Sequence, residues 1–228
     1  MEERIDAPPP DAGLRHAIAA AQACLTLVAA GQAGRLVHFS TFHVYGKPGR
    51  TRYEETDTLA PTHPYGRIHL AVEQHLLAAA ADADIVIARP TNLVGTPAHA
   101  DLGDQSKLLF IDLCRQAARG GVSLRNDGRG HRDFLPFGDA IDAVRRLLGT
   151  GSAAGPVVNI AAGQSQSIAD LAGTIAAACP KHVHVSFGAG DDPYREPFTV
   201  TTDRLQRTGW RPEAWIAAEA ALCVAFFS

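Results

Sequence analysis

Apolar positions along this chain recur in two rhythms, one helical and one extended, and the switches between them mark out its elements. Leu14, Ile18, Ala21, Leu25 and Val28 repeat at three-to-four spacing. That predicts a helix from Asp11, a capping residue, to about Ala30, stopped by Gly31. Alanines cover most of the remaining surface, which predicts packing on more than one side. Arg35 to Ser40 reads as a short strand. Gly46 to Pro64 is polar and rich in turn residues, so a loop is expected. Tyr65 opens a helix to about Ala81, and Ile85-Val86-Ile87-Ala88 reads as a strand buried on both faces, as in a parallel sheet. Strand, helix and strand in that order imply a right-handed crossover. Further helices are expected from about Lys107 to Arg119, from Asp139 to Leu148, from Ile168 to Ala178 behind a Ser167 cap, and from Pro212 or Glu213 to the end. Further strands are expected at Val122–Leu124, Val157–Ile160 and His182–Val185. Ile5–Pro10 reads as a proline-stiffened loop, and Asn126–Gly128 and Asp191–Pro193 as turns.

Composition narrows the class. With 228 residues, 46% of them hydrophobic, the chain can bury a real core, and a net charge of -3 leaves no nucleic-acid footprint. The longest apolar run, Ala17 to Ala30, is interrupted by Gln22 and Thr26 and reads as too short for a bilayer. Met1-Glu2-Glu3-Arg4 does not open a signal peptide. Cys24, Cys114, Cys179 and Cys223 lack CxxC spacing and read as small buried thiols of a reducing, cytoplasmic protein. No metal site is expected. His182 and His184 share a strand face without a nearby carboxylate, and His63, His69 and His75 do not have zincin spacing.

The chemistry concentrates in two segments, Ser40-Thr41-Phe42-His43-Val44-Tyr45-Gly46 and Pro64-Tyr65-Gly66-Arg67-Ile68-His69. The first reads as a buried strand delivering a hydroxyl, the second as a helix start delivering a phenol. Tyr65 and His69, four apart, share a helix face. A free phenol is a poor base at neutral pH, but a neighbouring cation or donor brings it into working range. Together the groups could handle an alcohol proton during hydride transfer. The plainer alternative is that Thr41 ends a strand and Tyr65 opens a helix.

Six segments in register resemble the extended short-chain dehydrogenase/reductase family, in particular its NAD-dependent nucleotide-sugar epimerases and dehydratases. They are Leu36-Val37-His38-Phe39-Ser40-Thr41 with Val44-Tyr45-Gly46; Pro64-Tyr65 with Glu73; Ala88-Arg89-Pro90-Thr91-Asn92-Leu93-Val94-Gly95; Asn126-Asp127-Gly128 with Arg132-Asp133-Phe134; Val158-Asn159-Ile160-Ala161 with Gly163; and Leu205 with Thr208-Gly209-Trp210-Arg211-Pro212. The resemblance implies an α/β fold, a partial Rossmann-like, doubly wound parallel sheet (residues 1–95 plus 139–162) with a small C-terminal substrate-binding lobe (96–138 plus 163–228). It implies Thr41, Tyr65 and His69 as catalytic residues. Ser40, Tyr65, His69, Pro90 and Asn92 would face the NAD(P) cofactor. His43, Asn92, Arg132 and Arg195 would face a nucleotide sugar. An arginine fork suits a diphosphate, although Arg132 could instead pair with Asp133 or Asp139.

Three departures qualify the resemblance. The lysine expected four residues after the tyrosine is His69, whose cation could stand in electrostatically but titrates near neutrality. The Asp-Glu pair that dehydratases carry after the catalytic threonine is Phe42-His43, which removes the elimination chemistry and leaves an epimerase or simple dehydrogenase. No Gly-x-x-Gly-x-x-Gly loop occurs, and Gly31-Gln32-Ala33-Gly34 ends a helix instead of starting one. Impaired catalysis and doubtful NAD(P) binding are therefore expected, with a non-catalytic partner or sugar-binding subunit as the alternative. The strand at Leu36 should be a sheet edge. Helices 11–30 and 65–81 are the pair through which a homodimer is expected.

Overall fold

The computed structural model describes residues 11–46, 49–79, 83–99, 101, 108–149 and 154–228. The expected loop at Ile5–Pro10 lies outside them, as do Ala81 and Lys107. The order is α1 (Asp11–Ala29), β1 (Leu36–Phe39), a 3-10 turn (Phe42–Tyr45), β2 (Arg52–Tyr53), α2 (Pro64–Ala78), β3 (Ile85–Pro90) and β4 (Asn92–Val94). Then come α3 (Leu109–Ala118), β5 (Gly121–Ser123), β6 (His131–Arg132), β7 (Phe134–Pro136), α4 (Phe137–Gly149) and β8 (Val157–Ile160). The chain ends with β9 (Gln166–Ser167), α5 (Ile168–Ala177), β10 (His184–Ser186), β11 (Thr199–Val200), α6 (Asp203–Gln206) and α7 (Ile216–Phe227).

The main sheet is parallel in the order β1-β3-β8, with Leu36 opposite Ile85 and Ile87 opposite Val157. Its strands alternate as a pleat requires. Ile85 and Ile87 enter the cluster with Leu25, Val72 and Leu76 of α1 and α2, whereas Val86 and Ala88 enter the one with Ala140, Ala143, Leu147 and Trp210. This double burial explains why β3 is apolar without interruption. A third cluster joins α3, α5 and α7, and a fourth, largely aromatic, joins Phe42, Tyr45, Tyr53 and Phe198.

β1 is the sheet edge, as expected. The flank of α4 beside it is apolar and open: Phe137, Ile141 and Leu148 are exposed, as is Phe39 on the same side of β1. The opposite flank carries Arg146, which donates to the Thr208 carbonyl at 3.3 Å.

Five expectations need correction. α1 packs through one face only; Ala19, Ala20, Ala23 and Cys24 on the other are exposed, so Cys24 is not a buried thiol. Its stretch Ala12–Ala29, of mean hydropathy 1.3, is long and apolar enough to cross a membrane by length and composition, and is not too short. The same helix buries Ala21 and Leu25 against α2. The last helix starts at Ile216, because the Asp139 carboxylate accepts from the Glu213 and Ala214 N–H groups and holds that segment extended. His182 lies outside β10, so it shares no strand face with His184.

Candidate active site

Beyond β1 the chain turns sharply. Thr41 is extended and caps the 3-10 turn, its Oγ1 accepting from the His43 N–H at 3.3 Å. Gly46 ends the turn with φ of 84°, a region that favours glycine. Helix α2 starts with Pro64 in its first turn, where the missing N–H is harmless. Gly66 then lets the helix rest on the turn: a Cβ there would stand 2.8 Å from the His43 carbonyl oxygen. Two distant segments are thus clamped together at a position where only glycine fits.

The clamp assembles a ring cluster. His43 and His63 lie edge to face at 4.8 Å, and His43 and Tyr65 at 6.0 Å. His63 and Tyr65 are nearly parallel at 6.1 Å. Tyr65 and His69 meet edge to face at 4.5 Å, and His69 lies 6.4 Å from His38 of β1. Tyr65 is 53% exposed, whereas Thr41 is buried at the start of the turn that carries His43.

Burial lowers His43 and His69 alike. Burial, then His63, Arg132 and His69, push His43 down to about 4. Burial also lowers His69, against the pull of Glu73. At neutral pH His69 is therefore a neutral donor-acceptor and not a standing cation.

Beneath the cluster lies a network that reading the sequence did not single out as functional. Glu73, fully buried, accepts from Ser40 Oγ in a short hydrogen bond and from Arg89 Nε and Nη2 at 3.0 and 2.7 Å. Arg89 reaches Tyr45 Oη at 3.1 Å, and Tyr45 donates to Asn159 Oδ1 at 2.7 Å. Burial pushes Tyr45 up to about 12, with Arg89 opposing, so Tyr45 is no acid/base at neutral pH. The signal was present: an arginine ending a buried strand and a glutamate on an apolar helix face each demand a partner.

The substrate-side candidates divide. Asn92 sits in β4 and donates to the Asp133 carbonyl at 3.0 Å; Pro90 pairs with Ile160 across the sheet. Asp133 is buried, accepting from Thr91 Oγ1 at 2.5 Å and from the Ala162 and Gly163 N–H groups; burial raises it to about 6. Arg132 pairs with neither Asp133 nor Asp139. It forks onto Asp192 at 3.1 and 3.0 Å and lies 4.6 Å over the Tyr194 ring. Its charge nonetheless helps to lower the His43 imidazole. Asp192, expected in a plain turn, is buried because it anchors this fork. Arg195 stands apart, exposed, and ion-paired to Asp127 and Asp191. A cavity of about 460 Å³ lined by Phe134, Asp139, Ala162 and Trp215 includes none of Thr41, Tyr65 and His69.

Only one end of a dinucleotide finds suitable groups. Tyr65 offers an exposed hydroxyl beside the half-buried His69, but no glycine-rich helix start is present in the sequence to cradle a pyrophosphate.

Known proteins resemble this chain in sequence and in fold. The dTDP-6-deoxy-L-talose 4-dehydrogenase (NAD(P)(+)) of Kitasatospora kifunensis is 34% identical over 142 residues, covering 60% of this chain and 44% of that protein. The dTDP-L-rhamnose 4-epimerase of Burkholderia thailandensis is 30% identical over 217 residues, 85% of this chain and 57% of that protein. This chain thus spans about half the length of these relatives. The structure of RMD from Pseudomonas aeruginosa complexed with NADPH superposes with a TM-score of 0.74 at 25% identity, covering 86% of this chain and 67% of that one. A UDP-N-acetylglucosamine 4-epimerase from Methanobrevibacter ruminantium shares the fold, with a TM-score of 0.79 at 18% identity over 92% of this chain and 68% of that one. The model of the NAD-dependent epimerase/dehydratase family matches residues 9–161, about two thirds of the sequence, and the chain belongs to that family.

Proposed function

We propose that this chain carries the substrate-facing part of an NAD(P)-dependent epimerase or dehydrogenase acting at a hydroxyl of a nucleotide sugar. The observation that carries this reading is the clamp that sets Tyr65 and His69, edge to face at 4.5 Å, beside the turn that starts at Thr41. Tyr65 takes or returns the hydroxyl proton, and Thr41 holds the same oxygen. His69 is the ribose contact, with Ser40, Pro90 and Asn92 nearby on the cofactor side. Bound NAD(P) supplies the hydride acceptor. His43, Asn92 and Arg132 face the sugar and diphosphate; Arg195, tied to Asp127 and Asp191, is the weaker candidate. Residues 96–138 and 163–228 form the substrate lobe and 1–95 with 139–162 the sheet half. The setting is the reducing cytoplasm.

These residues hold no pyrophosphate cradle, so the chain alone is expected to bind NAD(P) weakly and to turn over little. The open β1 edge and apolar α4 flank favour a second reading, a subunit that binds a nucleotide sugar or another chain without turnover. Self-association would use the exposed alanine face of α1 together with α2. Isothermal titration with UDP- and dTDP-sugars, with and without NAD(P), tests the proposal. Heat with sugar and turnover with both support catalysis; heat without turnover supports the binding subunit. No heat with any sugar defeats both.

A further inference from the structure

The residues assigned so far leave out His38. On β1, Leu36 and Ser40 turn toward α2, and His38 between them does the same. Its ring faces that of His69 at 6.4 Å, the planes tilted by 40°. His38 Nε2 is buried and has no hydrogen-bond partner among the described residues. An unpaired buried polar atom forfeits the hydrogen bonds it made to water, so a partner is expected. Rings at this separation keep their nitrogens at least about 4 Å apart, too far for a direct bond; where the nitrogens face each other, one bridging water spans the gap.

We propose that His38 is a positioning residue that pairs with His69 through a bridging water, the two imidazoles holding one proton between them beside Tyr65. This rests on the reading of Tyr65 as the acid/base. A lone imidazolium in this place bears the full cost of desolvation, whereas a neutral ring accepting its hydrogen bond lowers that cost. A second proton is opposed by the first, so the pair takes up one and resists the next. Burial disfavours charge on both rings, His69 adds to this for His38, and Glu73 opposes it in each. The groups facing the pair are Tyr65 and Glu73 of α2, Ser40 of β1 and His43 of the 3-10 turn. Arg89 of β3 is already committed to Glu73. Where the resemblance expects a permanent lysine cation, this chain holds one that appears only on the acid side.

The test is side-chain nitrogen NMR of the full chain between pH 4 and 8, on the wild type, His38→Phe and His38→Gln. In the wild type the His38 and His69 nitrogens should follow one common midpoint. In His38→Phe the His69 midpoint should fall by about half a pH unit, a threefold loss of proton affinity. His38→Gln keeps an acceptor and should restore it. Independent midpoints in the wild type, or a His69 midpoint unmoved by His38→Phe, overturn the proposal. Should His38→Phe fail to fold, the wild type and His38→Gln decide. None of these readouts involves sugar or cofactor. Failure of the pair is therefore separable from failure of the Tyr65 reading, which the sugar titration exposes.

Discussion

Helix α2 serves two polar clusters built on opposite principles. Around Glu73 every strong group is matched: Ser40, Arg89, Tyr45 and Asn159 form a closed chain of hydrogen bonds, buried on all sides. Two turns earlier, Tyr65 meets His69 edge to face, Tyr65 is half exposed, and His38 Nε2 has no hydrogen-bond partner among the described residues. The closed cluster spends its hydrogen-bonding capacity on the fold. The open one leaves Tyr65 accessible at the surface. One helix can do both because its N-terminal turns lie at the strand ends, beside the 3-10 turn, while Glu73 lies against the strands.

Breaking the closed cluster should have the largest effect. Glu73→Ala leaves Arg89 buried and uncompensated and should cost about 3–5 kcal/mol in urea unfolding. Adding Arg89→Met should cost less than the sum of the two single changes, because the second removes the stranded charge. A loss below about 1 kcal/mol for Glu73→Ala would deny that this cluster holds the sheet to α2.

On the open side, Arg132→Ala should weaken nucleotide-sugar binding about tenfold or more in a calorimetric titration. Arg132→Lys should not restore it, because a point charge cannot replace the fork. Equal affinity in all three proteins would place the diphosphate elsewhere.

His43 of the open cluster and the buried Asp133 should also respond oppositely to acid. His43, at about 4 in the fold against 6.5 in the unfolded chain, adds stability above pH 6.5 that is lost as pH falls toward 4. Asp133, raised from 3.8 to about 6, acts oppositely: its contribution is full below pH 3.8 and lost as pH rises through 6. The two oppose each other between pH 4 and 6. In urea unfolding across that window, His43→Asn should decline less steeply on acidification than the wild type, and Asp133→Asn more steeply. Identical slopes would remove both groups from the pH response.

The smallest effect is the sharpest contrast with Glu73. Tyr65→Phe should leave stability within about 0.5 kcal/mol, since its hydroxyl makes no hydrogen bond among the described residues, while removing the proposed acid/base. A loss of several kcal/mol would make Tyr65 a structural residue.

Hydrophobic rhythm made most of the fold legible. The β1-α2-β3 crossover, the third strand at Val157–Ile160 and the Ser167 cap, whose Oγ accepts from the Asp170 N–H, all stand where periodicity and capping chemistry place them. Short strands such as Arg52–Tyr53 escaped notice, because two residues have no period. The final helix was read too long because the group holding Glu213 and Ala214 extended is Asp139, more than seventy residues away.

Local order of side chains thus determined which elements form and placed Thr41, Tyr65 and His69 on them. Pairing was decided only in three dimensions. Arg132 lies next to one carboxylate in sequence and binds another sixty residues on; Glu73 finds Arg89 across the sheet; His38 finds His69 across a helix-strand contact. The physical reason is range. Helix and strand propensities act over a few residues, whereas a buried charge or imidazole must satisfy whichever group the packed layers bring within hydrogen-bond reach.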